Sequence, residues 1–389
     1  MTVQVSPSGV WSGLVGQQHV IDTLQRAVAG HGMTHAWLFT GPPGSGRSNA
    51  ALAFAAALQC ERGTGCGECR ACRTGLAGTH PDISLTRSET SVHYIDHVRG
   101  LVRRAGLYPA EGKFQVMLIE DADRLAKGEE TRTANALLKA LEEPTPQTVW
   151  LLCAPTVEDV LPTIRSRCRH VSLATPTAEQ VAGFLVEREG VAEGVASFAA
   201  RASQGHIGRA RALALDEKTR NRRREVVSIP GQLVHLGACM NAASNLVDIA
   251  KDETAALTDQ ANVRAMAELE ALYGDDRKAK TSRTYRAALR ELEHSQKQRE
   301  KRRVMDVVDR GLMDIMSVYR DVIALQTGAT TDLVNEEIRG EVHELARRTT
   351  PEENLRRIDA IFVARRQMTE FNTAPLLALE SMMAALRLT

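Results

Sequence analysis

Short apolar runs separated by helical stretches fill the first 175 positions of the chain. Positions 35–40 (His-Ala-Trp-Leu-Phe-Thr) read as a strand ended by a glycine-rich turn, and 48–58 as an alanine-rich helix. Further strands are expected at 83–85, 116–119 and 149–153. Between them Ile95, Val98, Leu101 and Val102 recur at helical spacing. Strands alternating with helices imply a parallel α/β sheet. Beyond about Thr175 the strand signal stops, and 178–189 and 197–213 read as short helices of a small all-α appendage. In the last third Met305, Val308, Leu312, Ile315, Tyr319 and Val322 recur every three or four residues, giving a long helix one apolar face that a bundle would cover. Positions 256–303 are polar and dense in charge, as expected of a solvated helix or a mobile insertion. The expected division is a sheet domain over 1–175, a small helical lid over 176–222 and a helical domain over 223–389 carrying the charged insertion.

Composition narrows this. With 389 residues, 43% of them hydrophobic, the chain is long enough for two or three cores. Lysine and arginine number 49 against 48 acidic residues, so a DNA-wrapping protein with a global positive field is not expected. The N-terminus lacks the basic and apolar regions of a secretory signal, and no apolar run is long enough to span a bilayer. These features lead to the expectation of a soluble, cytoplasmic protein with no membrane partner.

The turn after the first strand is Gly41-Pro42-Pro43-Gly44-Ser45-Gly46-Arg47-Ser48, which fits G-x-x-x-x-G-K-[ST] except that arginine replaces lysine. Glycines let backbone N–H groups turn onto phosphates, the following helix adds a favourable dipole, and Ser48 is placed to hold Mg²⁺. ATP or ADP with Mg²⁺ is therefore the candidate ligand of Gly41, Gly44, Gly46, Arg47 and Ser48. The planar guanidinium of Arg47 does not reproduce a compact ammonium in a tight cradle, so hydrolysis is expected to suffer more than binding. The strand at 116–119 ends in Glu120-Asp121-Ala122-Asp123. Acids there hold the metal and orient the attacking water, but the usual order is Asp then Glu, and the swap shortens the water-positioning acid by one methylene.

Four of the seven cysteines, Cys60, Cys66, Cys69 and Cys72, lie within thirteen residues with Gly63, Gly65 and Gly67 between them. In a reducing compartment that spacing reads as a closed four-thiolate Zn²⁺ site of structural role, with an iron–sulfur cluster as the alternative. Cys153, Cys168 and Cys239 lie apart and are expected to be core thiols.

Taken with His80-Pro81-Asp82, the run Asn135-Ala136-Leu137-Leu138-Lys139-Ala140-Leu141-Glu142-Glu143-Pro144 and the Ser166-Arg167-Cys168 triplet, these features resemble the clamp-loader branch of the AAA+ family. Within it they are most similar to delta-prime-type subunits of bacterial DNA polymerase III. The run from Asn372 to Glu380 resembles the end of that family's helical collar. The resemblance implies a P-loop (AAA+) α/β parallel-sheet domain with a zinc insertion, a helical lid and a C-terminal helical collar. It also implies that Arg167 acts in trans as an arginine finger on a neighbour's ATP. Where motor subunits carry a threonine-rich sensor this chain has Cys153-Ala154-Pro155, with no hydroxyl before Thr156. At the second sensor Gly208 stands in the arginine's place, with Arg209 one residue on.

The expected function is a non-motor subunit with little or no ATPase of its own, working in the ATP-driven polymerase III holoenzyme. Its implied partners are the gamma/tau and delta subunits of a pentameric loader, the sliding clamp and primer-template DNA. Two alternatives stay open. One is a working ATPase of the gamma/tau type; the other is a zinc-dependent nucleic-acid binding module using the basic run 297–303.

Overall fold

The computed structural model describes residues 8–86, 91–126, 131–273 and 283–388. Positions 274–282 of the charged insertion lie outside that set, as does the side chain of Ile95. The chain forms two compact units, Met1–Leu215 and Asp216–Thr389.

The first unit is built on five parallel strands, β1 (Ala36–Thr40), β2 (Ile83–Thr86), β3 (Gln115–Ile119), β4 (Thr148–Ala154) and β5 (Arg169–Ser172), in the order β2-β3-β4-β1-β5. β1, β3 and β4 are buried on both faces, as an all-parallel sheet requires. One face carries Trp37, Phe39, Leu118 and Leu151 against α2 (Arg47–Leu58). The other carries Leu38, Met117, Trp150 and Leu152 against α4 (Ser91–Ala105) and α5 (Thr131–Glu142). Ahead of β1, α1 (Gln18–Val28) buries Val20, Ile21 and Leu24 on the first of these cores. The short helices α3 (Arg70–Leu76), after the cysteine loop, and α6 (Pro162–Arg165), before β5, complete the sheet domain.

The strands expected from sequence are all present, each within a few residues of its expected limits. β5 was not expected: its residues Arg-His-Val-Ser bury only Val171, too little apolar signal for a strand, and it forms by pairing with β1 at the sheet edge. The small appendage belongs to the first unit and has three helices, α7 (Ala178–Glu189), α8 (Glu193–Ser203) and α9 (Ile207–Leu215), around Val181, Leu185, Ala199 and Leu213. The single helix expected over 197–213 is thereby corrected to two, broken where Gln204 (φ 50°) and Gly205 (φ 85°) turn left-handed.

The second unit is all helical: α10 (Glu217–Gln232), α11 (Leu236–Tyr273), α12 (Arg283–Gln326), α13 (Arg339–Arg348), α14 (Pro351–Thr369) and α15 (Pro375–Leu386). α10 runs continuously across position 222. The periodic face of α12 is buried, with Val308, Leu312, Ile315 and Tyr319 joining Leu246, Ile361 and Met383 in one core. α11 and α12 rise about 57 and 66 Å at 1.5 Å per residue. The charged positions 256–273 and 283–303 are their outer lengths, so on the described residues the insertion is helix. Arg223 is buried with Asp314, Glu337 and Asn335, and Asp321 accepts the backbone N–H groups of Val334 and Asn335 at 3.1 and 2.8 Å.

Candidate functional site

The phosphate-loop motif leaves the carboxyl end of β1, whose neighbours β4 and β5 come from later in the chain, the place where open α/β sheets hold ligands. The Gly41 N–H donates to the Pro155 carbonyl at 3.1 Å, tying the loop to the end of β4, and the Ser45 N–H donates to Pro42 at 3.0 Å. Gly46 (φ 88°) caps α2, so Arg47 and Ser48 open the helix. Arg47 turns back across the loop and its Nη1 donates to the Gly41 carbonyl at 2.8 Å. Among the described residues its Nε and the Ser45 hydroxyl are buried with no hydrogen-bond partner. Two buried donors facing a glycine-rich turn fit an anionic oxygen.

Gly44 also has a left-handed backbone (φ 88°), and a Cβ there would lie 2.5 Å from the imidazole Cγ of His206. His206 precedes α9, and its Nδ1 accepts the Arg209 backbone N–H at 3.2 Å. The helical appendage therefore reaches the phosphate loop through His206, which sequence reasoning did not single out. The pairing is between residues far apart in the chain, and only the quoted run 205–209 hinted at it.

Sheet register places Cys153 beside Phe39 and Leu152 beside Ile119, so the ends of β1, β3 and β4 converge. Burial pushes the Cys153 thiol upward; the carboxylates of Glu120 and Asp121 add to the rise, while Arg47 and a hydrogen bond with Ser48 oppose it. Burial keeps this thiol uncharged, within the electrostatic reach of Arg47, Glu120 and Asp121. Thr156, the first hydroxyl after that thiol, is engaged elsewhere: its N–H and Oγ1 both donate to Asp159 Oδ2, at 3.0 and 2.8 Å.

Arg167 lies apart from this group, between α6 and β5. Nη1 donates to the Thr163 carbonyl at 2.8 Å and to Ser166 Oγ at 3.2 Å, and Nη2 donates to Glu142 Oε1 at 2.5 Å. Glu142 is the last residue of α5.

The four cysteines come together as their spacing implied. Their sulfur atoms lie within 4.8 Å of one another, a set of donors able to hold a metal ion. Backbone N–H groups of Cys66, Cys69 and Cys72 point at the sulfurs of Cys60, Cys66 and Cys69 at 3.5, 3.5 and 3.4 Å. For Cys60 burial opposes ionisation, but donation from the backbone of Cys66, Thr64 and Arg62 outweighs it and draws the thiol down to about 5. Cys69 is lowered in the same way, whereas burial raises Cys72. The loop packs on the 3-10 turn Gly9–Gly13: Val10 N donates to the Gly65 carbonyl at 3.0 Å, and a Cβ at Gly67 would lie 2.9 Å from Gly9.

His80-Pro81-Asp82 has a structural task. The Asp82 carboxylate accepts the backbone N–H groups of Ala110, Glu111 and Gly112 at 2.6, 2.9 and 2.6 Å and fixes the turn into β3. Burial works against its charge, yet those three donors hold it below the usual carboxylate value.

Residues 16–177 match the family described as DNA polymerase III, delta subunit. The chain is 30% identical over 233 residues to the DNA polymerase III subunit tau of Bacillus subtilis, covering 58% of this chain and 40% of that one. It is 40% identical over 149 residues to the DNA polymerase III subunit delta' of Pseudomonas aeruginosa, covering 37% and 44%. In each case it spans less than half the length of the curated relative. The DNA clamp loader delta protein of Bacillus subtilis aligns over 94% of this chain and 99% of its own, at 10% identity and a TM-score of 0.30.

Proposed function

We infer that this chain, which belongs to the DNA polymerase III clamp-loader family through its sheet domain, serves that assembly as a non-motor subunit of the delta-prime type. In this reading it holds one position of a pentameric loader beside gamma/tau and delta subunits and helps place the sliding clamp on primer-template DNA. It also offers Arg167 to the ATP of the neighbouring subunit.

The observation that carries the non-motor assignment is the arginine folded back on its own loop. Arg47 Nη1 is held by the Gly41 carbonyl, so one arm of the cation that should follow the transferring phosphoryl group is tied to its own loop and only the rest can face a phosphate. The other departures act in the same direction. Glu120 and Asp121 stand in swapped order, an uncharged thiol takes the first sensor position, and Thr156 is bonded to Asp159. Ser45 Oγ and Arg47 Nε, buried with no hydrogen-bond partner among the described residues, support binding of ATP or ADP through a phosphate oxygen, with Gly41, Gly44, Gly46 and Ser48 lining the loop. When bound, nucleotide and Mg²⁺ would supply the phosphoryl group and its counter-charge. This chain's own residues bind and orient it without completing the set that activates water. The four-cysteine centre is assigned structural Zn²⁺, because four protein ligands close the coordination sphere.

ATP hydrolysis by the isolated chain, assayed beside a motor subunit of the same assembly, tests the assignment. Turnover should stay at background, and Arg47→Lys alone should not restore it, because the acids and the sensor position remain altered. Turnover comparable with the motor subunit would make this chain an ATPase of the gamma/tau type.

A further inference from the structure

Arg167 does not reach outward from its turn. Three of its five N–H donors are taken by the Thr163 carbonyl, Ser166 Oγ and Glu142 Oε1, and its side chain is 35% exposed. Those acceptors differ in kind. The carbonyl and the hydroxyl are neutral and close in sequence; Glu142 is a carboxylate twenty-five residues away on another element. It closes α5 at the helix's carbonyl end, where a negative side chain is unfavourable and a neighbouring cation relieves it. The pair therefore has a local electrostatic reason to form, whatever lies beyond the subunit.

We propose that Glu142 is a positioning residue that parks Arg167 in the free subunit and releases it when a neighbouring subunit's nucleotide presents a stronger anion. The proposal rests on the reading of Arg167 as an arginine finger and adds what governs its engagement. Both partners are well exposed, at 35% and 49%, so the pair is worth a factor of about five at most. A guanidinium on a transferring phosphoryl group is worth about 10³ to 10⁵ in rate, so the charge that builds in the neighbour's transition state outcompetes Glu142 for the finger. The carboxylate left behind at the helix end resists that exchange. That resistance is a bias of at most about fivefold: it lowers the finger's engagement with an imperfectly seated neighbour and is overcome by a fully docked one.

The test uses the assembled loader containing full-length chain, with Glu142→Gln chosen because it keeps the side chain's shape and hydrogen bonding while removing its charge. Assembly of each variant is verified by mass. In the absence of clamp and DNA, Glu142→Gln should raise ATP hydrolysis at the adjoining site by roughly two- to fivefold, the range an exposed ion pair spans. With clamp and DNA saturating, it should match wild type. The double variant Glu142→Gln/Arg167→Ala should fall to the level of Arg167→Ala, because Glu142 acts only through Arg167. An unchanged or lowered basal rate in Glu142→Gln, with Arg167→Ala still impaired, overturns the parking role and leaves the finger standing. Arg167→Ala as fast as wild type overturns the finger reading itself. A Glu142→Gln gain that persists without Arg167 shows the carboxylate acting by another route and also overturns the proposal.

Discussion

On the proposed reading, single side chains set what the phosphate loop can do, and several of them act through contacts distant in sequence. Arg47 could be recognised from the motif as a departure, but its bond to the Gly41 carbonyl could not; His206 against Gly44 and Glu142 against Arg167 join segments far apart and follow no short-range rule. Asp82 is the clearest case of a residue whose role is set by its partners. A carboxylate only 2% exposed and held by three backbone N–H groups has its acidity increased by folding, so its contribution is full above the ordinary value of 3.8 and is lost as pH falls through the lowered one. Urea unfolding of the full chain between pH 3 and 7 should therefore show less acid sensitivity for Asp82→Asn than for wild type. Asp82→Ala should cost about 2–4 kcal/mol at pH 7, from the loss of charge-assisted bonds to a buried turn. An Asp82→Asn protein with wild-type pH dependence would mean that the turn is not held by that charge.

At the scale of elements, the parts of the fold that were readable from sequence are those with strong local signal. β1, β3 and β4 are continuous apolar runs because both of their faces are buried, and the long face of α12 repeats with helical period because it packs in the bundle core. β5 escaped because one buried valine carries no periodicity, and the break between α8 and α9 escaped because Gln204 adopts a left-handed backbone that its identity does not announce. The cysteine cluster was legible for a different reason: the short spacing brings the four sulfurs together, and they do converge on a set able to hold a metal ion. One zinc ion per chain is expected in protein kept reduced. Removing it by chelation, or changing Cys66 and Cys69 to serine, should destabilise the first unit by several kcal/mol, since the loop that packs on the Gly9–Gly13 turn loses what closes it. Metal analysis beside thermal unfolding checks this. Metal-free protein with unchanged unfolding would reduce the four cysteines to a cluster of packed thiols.

For the whole molecule, the sheet unit carries every residue assigned to chemistry, and the second unit is a helical bundle whose buried Arg223 network and long helices α11 and α12 serve architecture. No helix among the described residues is long and apolar enough to cross a membrane. On the proposed reading, a chain that keeps a phosphate loop but ties its arginine to that loop matters to a clamp loader through what it presents to a neighbouring subunit. Arg167 carries that claim. The direct measurement is ATP hydrolysis and clamp loading by a reconstituted loader carrying Arg167→Ala, with assembly confirmed and Arg167→Lys run in parallel. Hydrolysis at the adjoining site should fall on the order of 10³-fold, with lysine a poor substitute because it lacks the planar fork, while the isolated chain's behaviour is unchanged. An intact Arg167→Ala loader that hydrolyses ATP and loads the clamp as wild type does would contradict the account, leaving Arg167 as a surface arginine paired with Glu142.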